Sequence, residues 1–285
     1  MRQAIGIDIG GTKIRSAVVS DEGTLLRAHD IPTPRSATEV VQALKGEIER
    51  LKDEATTGIG IGVPGRVDAA AGRVFSGGFV DLSGRSLRDE VAAQAGLPVH
   101  LANDASLALL AEARVGAAQG WRNVAMFTIG TGIGGAIMCH GELLAGRATA
   151  GQLGHIGVDQ DGAPCLCGRR GCVETTSSGT ALGRLLAAAG LASLSVEDLL
   201  ERRDAESAAV LLAWIRPLRS AIDSVVATLD PERVVLGGGL GHAAVRALAH
   251  CPPASPWFQY EVVPARLGND AGVIGAALLS LEAAS

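Results

Sequence analysis

Aromatic side chains are scarce in this chain, at 3% of residues, and positive charge is not in surplus: 25 Lys and Arg face 30 Asp and Glu. The first shortage argues against a protein that stacks nucleic-acid bases on aromatic rings. The second, a formal net charge of -5, leaves no electrostatic footprint for nucleic acid or an anionic membrane. Long apolar runs are also missing. The longest uncharged stretch, Asn123 to Gly141, is broken by repeated glycines and reads as two strands joined by a turn, so no membrane span is expected. The N-terminus, Met1 to Asp8, has no basic start, apolar core and small-residue cleavage site, so no secretory signal is expected and the expected address is cytoplasmic. Cysteines number only five, yet three lie between Cys165 and Cys172. In a cytoplasmic protein that clustering points to metal before disulfide.

What is present is an apolar fraction of 47%, enough for a substantial core, and 38 glycines in 285 residues. The length suits two domains. The chain opens with Ala4-Ile5-Gly6-Ile7-Asp8-Ile9-Gly10-Gly11-Thr12-Lys13-Ile14-Arg15-Ser16-Ala17-Val18-Val19, two β-rich runs flanking a Gly-Gly-Thr turn. About 120 residues later the pattern returns as Val124-Ala125-Met126-Phe127-Thr128-Ile129-Gly130-Thr131-Gly132-Ile133-Gly134-Gly135-Ala136-Ile137-Met138. Two related domains, each opening on a hairpin whose turn suits phosphate, is the reading set against two unrelated hairpins. Between them the pattern predicts a helix over Ser36 to Lys52, a strand over Thr57 to Val63 and a Pro64-Gly65 turn. A helix over Arg85 to Ala95, a strand over Val99 to Ala102 and a helix over Asp104 to Val115 follow. Gly179 to Leu229 reads as mainly helical, Val234 to Leu236 as a strand, and Ala271 to Leu281 as a helix of small residues. Strands alternating with helices give an α/β architecture.

The turn Asp8-Ile9-Gly10-Gly11-Thr12-Lys13 lets backbone N–H groups approach an anion, with the Thr12 hydroxyl as a further donor and Asp8 suited to Mg²⁺ through water. It is not a Walker A loop, because the order Gly-Lys-Ser/Thr is missing; an ordinary tight turn is the alternative. Gly130 to Gly135 matches G-x-G-x-x-G, but the chain continues as a strand and no acid lies near position 150, so a dinucleotide fold is rejected in favour of a second phosphate clamp. Asn103-Asp104 follows a strand and opens a helix. There Asp104 is either a helix cap or a general base for a hydroxyl nucleophile, with Asn103 orienting the substrate beside it. His155 with Cys165, Cys167 and Cys172 makes a closed set of three thiolates and one imidazole, suited to structural rather than catalytic zinc; three incidental buried cysteines are the alternative. One His155 nitrogen on the metal leaves the other for a ligand. Cys139 and Cys251 read as core residues.

Together these motifs resemble the ROK family of bacterial sugar kinases over nearly the whole chain. The resemblance includes Glu174, the run Leu229-Asp230-Pro231-Glu232-Arg233-Val234-Val235-Leu236-Gly237-Gly238-Gly239, and Gly268-Asn269-Asp270-Ala271-Gly272-Val273-Ile274-Gly275-Ala276-Ala277. It implies an actin-like ATPase fold of two RNase H-like domains around a cleft, divided as residues 1–115 plus 270–285 and residues 116–269. It implies ATP, Mg²⁺ and structural Zn²⁺, and transfer of the γ-phosphate to a sugar hydroxyl, the one on C6 in most members. Asp104 would be the base; Asn103, His155 and Glu174 would bond the sugar. Gly10, Gly11 and Thr12, with Lys13 in the same loop, and Thr131 with Gly132 would clamp phosphates, and Gly238 and Gly239 would lie against adenosine. Assembly as a dimer or tetramer is the family expectation.

One departure stands out. Where the family has Glu-x-Gly-His, this chain has Gln152-Leu153-Gly154-His155. Gln152 keeps an acceptor oxygen at the sugar position, loses the charge and gains donors. That puts plain glucokinase activity in question and leaves room for an amino or N-acylamino sugar. The stretch Ser76-Gly77-Gly78-Phe79-Val80 departs as well, standing where the family has Asn-Leu. Three other readings compete: a transcriptional regulator, for which a hairpin opening at residue 4 leaves no DNA-binding segment ahead of it; a sugar sensor without turnover, favoured only by Gln152; and another actin-like ATPase, which needs no His/Cys cluster.

Overall fold

The computed structural model describes residues 2–76, 80–253, 255–257 and 260–283, and the chain divides into two units. The first comprises the chain up to Gly120, Ala145–Ala150 and everything from Asn269 onward; the second comprises Trp121–Leu144 and Gly151–Gly268. Of the departure at residues 76–80, Gly77, Gly78 and Phe79 lie outside the described residues.

In the first unit the elements run β1 (Gln3–Ile9), β2 (Lys13–Ser20), β3 (Leu25–Pro32), α1 (Ala37–Leu51), β4 (Thr56–Val63), β5 (Arg66–Asp68), β6 (Arg73–Ser76), α2 (Leu87–Ala95), β7 (Val99–Asn103) and α3 (Asp104–Val115), with a C-terminal helix Ala271–Ala283. The sheet has the order β3-β2-β1-β4-β7. Strands β1, β2 and β3 pair antiparallel, while β4 and β7 run parallel to β1. α1 starts on a full capping box, Ser36 with Glu39, and buries Val40, Val41, Leu44, Ile48 and Leu51 at helical spacing. Each such side chain adds about 1.5–3 kcal/mol when taken out of water. The C-terminal helix packs backbone to backbone. A Cβ at Gly6, Gly60 or Gly275 would lie 1.9, 1.8 or 1.9 Å from the carbonyl oxygens of Val273, Ala276 and Leu107, so much of the glycine content here is a packing requirement.

In the second unit the order is β8 (Val124–Ile129), β9 (Ile133–Cys139), β10 (Glu142–Leu143), α4 (Glu174–Ser177), α5 (Gly179–Ala188), α6 (Val196–Glu201), α7 (Ala205–Leu229), β11 (Arg233–Gly237), α8 (Gly241–Leu248) and β12 (Glu261–Pro264). Its sheet reads β10-β9-β8-β11-β12, again three antiparallel strands followed by two parallel ones. The repeat seen as two hairpins is thus a repeat of whole sheets. Trp214 and Phe127, both fully buried, centre the core between α7 and the sheet. Among the described residues no helix is long and apolar enough to cross a membrane.

Candidate active site

In the first unit, the turn after β1 is held by its own flanks. Gly10 donates its N–H to the Lys13 carbonyl at 2.9 Å, and Thr33, just past β3, donates its hydroxyl to the Gly10 carbonyl at 2.7 Å and its N–H to the Thr12 carbonyl at 3.1 Å. Asp8, near the end of β1, lies against the start of the C-terminal helix: a Cβ at Gly272 would sit 2.4 Å from Asp8 Oδ2, so only glycine allows this approach. Burial, and next the nearby Asp104 carboxylate, push Asp8 up to about 7, although Arg15 and Lys13 pull the other way. Asp8 is therefore a poor resting anion that a divalent cation would favour, and its carboxyl oxygens are the hard donors Mg²⁺ takes.

Charge near Asp8 is arranged in part by Arg15 and Asp30, to which sequence reading gave no role. Arg15 bonds Asp30 at 2.8 Å and also Asp270, while Lys13 gives its ammonium to Asp30 at 2.6 Å. The Lys13 ammonium is thereby committed to a strand neighbour. Asp270 was visible in the C-terminal motif, but its partner stands 255 positions away.

The Asn103-Asp104 pair resolves into two roles. Asn103 is the cap of α3: its side-chain oxygen accepts from the N–H groups of Ala105 at 3.0 Å and Ser106 at 3.2 Å, and its amide donates to the Gly65 carbonyl at 2.9 Å. Asp104 is the first helical residue, with one oxygen accepting from Ala105 N–H at 2.8 Å. Its carboxyl is raised above the ordinary range, first by burial, against the opposing bonds from Ala105 and Asn103. Asn103 is the cap and Asp104 shares only the Ala105 N–H with it, so a half-buried carboxylate of raised basicity keeps its second oxygen for other chemistry.

In the second unit, β8 ends at the turn Gly130–Gly132, one residue tighter than the first turn: Ile129 pairs with Ile133 here, Ile9 with Ile14 there. Gly134 and Gly135 already lie on β9, opposite Thr128 and Phe127, which is why the G-x-G-x-x-G spelling does not make a dinucleotide loop. Gly238, at the end of β11, has φ +76°, and Leu240 N–H donates to the Ile129 carbonyl at 3.0 Å, which ties the Gly238-Gly239 turn to the end of β8. Glu174 reaches the second turn directly: Oε2 accepts the Ile133 N–H at 2.9 Å.

His155, Cys165, Cys167 and Cys172 offer four ligand atoms within 4.8 Å of one another. The Cys165 Sγ to His155 Nδ1 distance is 3.5 Å and the Cys167 Sγ to Cys172 Sγ distance 3.6 Å. A tetrahedral zinc with Zn–S about 2.3 Å and Zn–N about 2.0–2.1 Å has edges of roughly 3.5 Å (S to N) and 3.8 Å (S to S), so the donor set fits zinc in both chemistry and spacing. With Nδ1 turned to the thiols, Nε2 is the ring atom left for a ligand. Gln152 precedes the short turn Leu153–His155, and its carbonyl accepts the His155 N–H at 3.1 Å. Cys139 and Cys251 pack against the core of this unit.

Two sheets of one strand order, each opening on a glycine-turn hairpin, define an actin-like ATPase fold. The model of the ROK family matches residues 4–283. The glucokinase of Streptomyces coelicolor is 32% identical, over 99% of this chain and 98% of its own. The N-acetylmannosamine kinase of Yersinia pseudotuberculosis is 34% identical, over 98% of each. The crystal structure of a ROK family glucokinase from Streptomyces griseus in complex with glucose and AMPPNP superposes with a TM-score of 0.82 at 31% identity, covering 98% of this chain and 99% of that one. This chain belongs to the ROK family.

Proposed function

We propose that this ROK sugar kinase transfers the γ-phosphate of ATP to the C6 hydroxyl of a hexose or of an amino or N-acylamino hexose, with Asp104 as the base. The observation that carries this reading is the capping of α3 by Asn103, which leaves Asp104 half-buried and raised in basicity at the helix start. A hydroxyl nucleophile needs its proton accepted as the phosphoryl group arrives, and a base is most effective when its pKa approaches the working pH. A glucokinase and an N-acetylmannosamine kinase among the relatives support the sugar class.

Each unit has its share of the work. The first carries Asp104, Asn103 and the Gly10–Thr12 turn; one Asn103 amide hydrogen is free of the Gly65 bond and is available to a sugar oxygen. Asp8 would hold Mg²⁺, which supplies charge to the phosphates when bound. The second carries Thr131 and Gly132 for phosphate, Gly238 and Gly239 for adenosine, and Glu174, His155 and Gln152 for sugar hydroxyls. Cys165, Cys167, Cys172 and His155 Nδ1 would hold zinc, which supplies a fixed ring orientation and no chemistry of its own. His155 Nε2 then donates to the sugar from a rigid ring. Gln152 presents an amide where the family presents a carboxylate, and an amide can both donate to an N-acyl carbonyl and accept from a hydroxyl.

The test is ADP release with ATP and Mg²⁺ over hexoses, aminohexoses and N-acetylhexosamines. Turnover of one class names the substrate. Thermal shifts by several sugars without ADP release would replace the kinase reading by a sensor.

A further inference from the structure

The second glycine turn is gripped by one short segment through Gly130, Thr131 and the following Ile133. The Gly130 carbonyl accepts the Gly179 N–H at 2.8 Å. The Thr131 carbonyl accepts from Thr180 twice, from the hydroxyl at 2.8 Å and from the N–H at 3.3 Å. A Cβ on Gly132 would lie 2.5 Å from Glu174 Oε2, the oxygen that also takes the Ile133 N–H at 2.9 Å. The gripping segment, Glu174 to Thr180, is itself fixed in the core. Ser177 donates its hydroxyl to the Trp214 carbonyl at 2.7 Å, and the Trp214 indole donates to the Ser178 carbonyl at 3.2 Å, all of it buried.

We propose that Glu174 and Thr180 are positioning residues for the nucleotide: they set the shape of the Gly130–Gly132 turn, and Glu174 thereby couples sugar occupancy to nucleotide affinity. The proposal rests on reading that turn as a phosphate clamp. A carboxylate has two oxygens and accepts on both. With Oε2 committed to the turn, Oε1 is the oxygen offered to a sugar hydroxyl. A sugar that bonds Oε1 removes the remaining rotational freedom of the side chain and so stiffens the turn at Ile133. Coupling of this kind is reciprocal, so nucleotide raises sugar affinity by the same factor. Nothing in a sugar ligand's ordinary role requires a bond to the phosphate turn, and Thr180, on the opposite flank of the turn, supplies an independent handle.

The experiment is calorimetric titration of AMPPNP with Mg²⁺ into sugar-free protein, for the wild type, Glu174→Ala, Glu174→Gln and Thr180→Val, with melting curves to check folding. Loss of a hydrogen bond to a charged acceptor predicts AMPPNP affinity about tenfold lower for Glu174→Ala, and the weaker neutral acceptor predicts about threefold for Glu174→Gln. Thr180→Val should lose about fivefold for AMPPNP while its sugar affinity without nucleotide is unchanged. Glu174→Ala and Thr180→Val that fold and bind AMPPNP like the wild type would overturn the proposal and leave Glu174 a sugar ligand only. Failure of the wild type to bind AMPPNP would instead overturn the kinase reading beneath it.

Discussion

Replacing Asp8 by asparagine should make the resting protein more stable at neutral pH while removing its activity. Burial and Asp104 move the Asp8 carboxyl from an ordinary 3.8 to about 7. In the unfolded chain it titrates near 4, so between about pH 4 and pH 7 the folded form holds the proton more tightly than the unfolded one. Stability from this group is therefore present below about pH 4 and falls as pH rises to about 7. The full shift corresponds to about 4 kcal/mol; Asp8 is not wholly enclosed, and solvent on its open face reduces this to about 2–3 kcal/mol. For a unit of this size that amounts to about 6–9 °C in melting midpoint, at about 3 °C per kcal/mol. The assay is calorimetry at pH 5 and pH 8 without Mg²⁺ or nucleotide, on the wild type and Asp8→Asn. Part of the loss is already complete by pH 5, so on going to pH 8 the wild type should lose about two-thirds of that more than the variant, roughly 4–6 °C, and Mg²⁺ with AMPPNP should restore most of the difference. Equal losses by the two proteins would refute the raised carboxyl and its link to metal binding.

Zinc analysis should find one ion per chain, and Cys167→Ser, whose side chain is exposed and leaves no cavity, should lower that content and the melting midpoint while raising sugar KM by about 10–100-fold, as disturbed metal support does. Unchanged sugar KM after complete zinc loss would detach His155 from the sugar. Gln152→Glu should favour plain hexoses over N-acylamino sugars, since a charged acceptor bonds a hydroxyl more strongly by about 1 kcal/mol, or roughly fivefold in kcat/KM; steady-state kinetics over both sugar classes would expose the opposite trend.

Most of the strands and long helices could be read from the chain because their apolar spacing is local. β3 escaped because it is an edge strand with no fully buried residue, Leu26, Arg27, Ala28, Asp30 and Pro32 all being exposed, and β12 because four residues ending in Pro264 carry almost no pattern. α8 was hidden behind the glycines of 237–239. At the site, the glycine turns, Asp104 and the His/Cys set could be named because each is written within a few positions. The bonds that tune them could not. Arg15 meets Asp270, Thr180 meets Thr131 and Gly272 meets Asp8 only through the fold, and no local spacing announces a partner 49 or 255 positions away. Asn103 as the cap was open to sequence reading, since asparagine and aspartate cap helices equally well and only the backbone decides which of two neighbours does so.

The central claim is that Asp104 is a base, and the most direct measurement is single-turnover phosphoryl transfer by Asp104→Asn with ATP, Mg²⁺ and the sugar that the wild type uses. The rate should fall by about 10²–10⁴-fold, with sugar and AMPPNP affinities within about fivefold of the wild type, since Asn103 remains the cap of α3. A folded variant that transfers phosphate at close to the wild-type rate would contradict it.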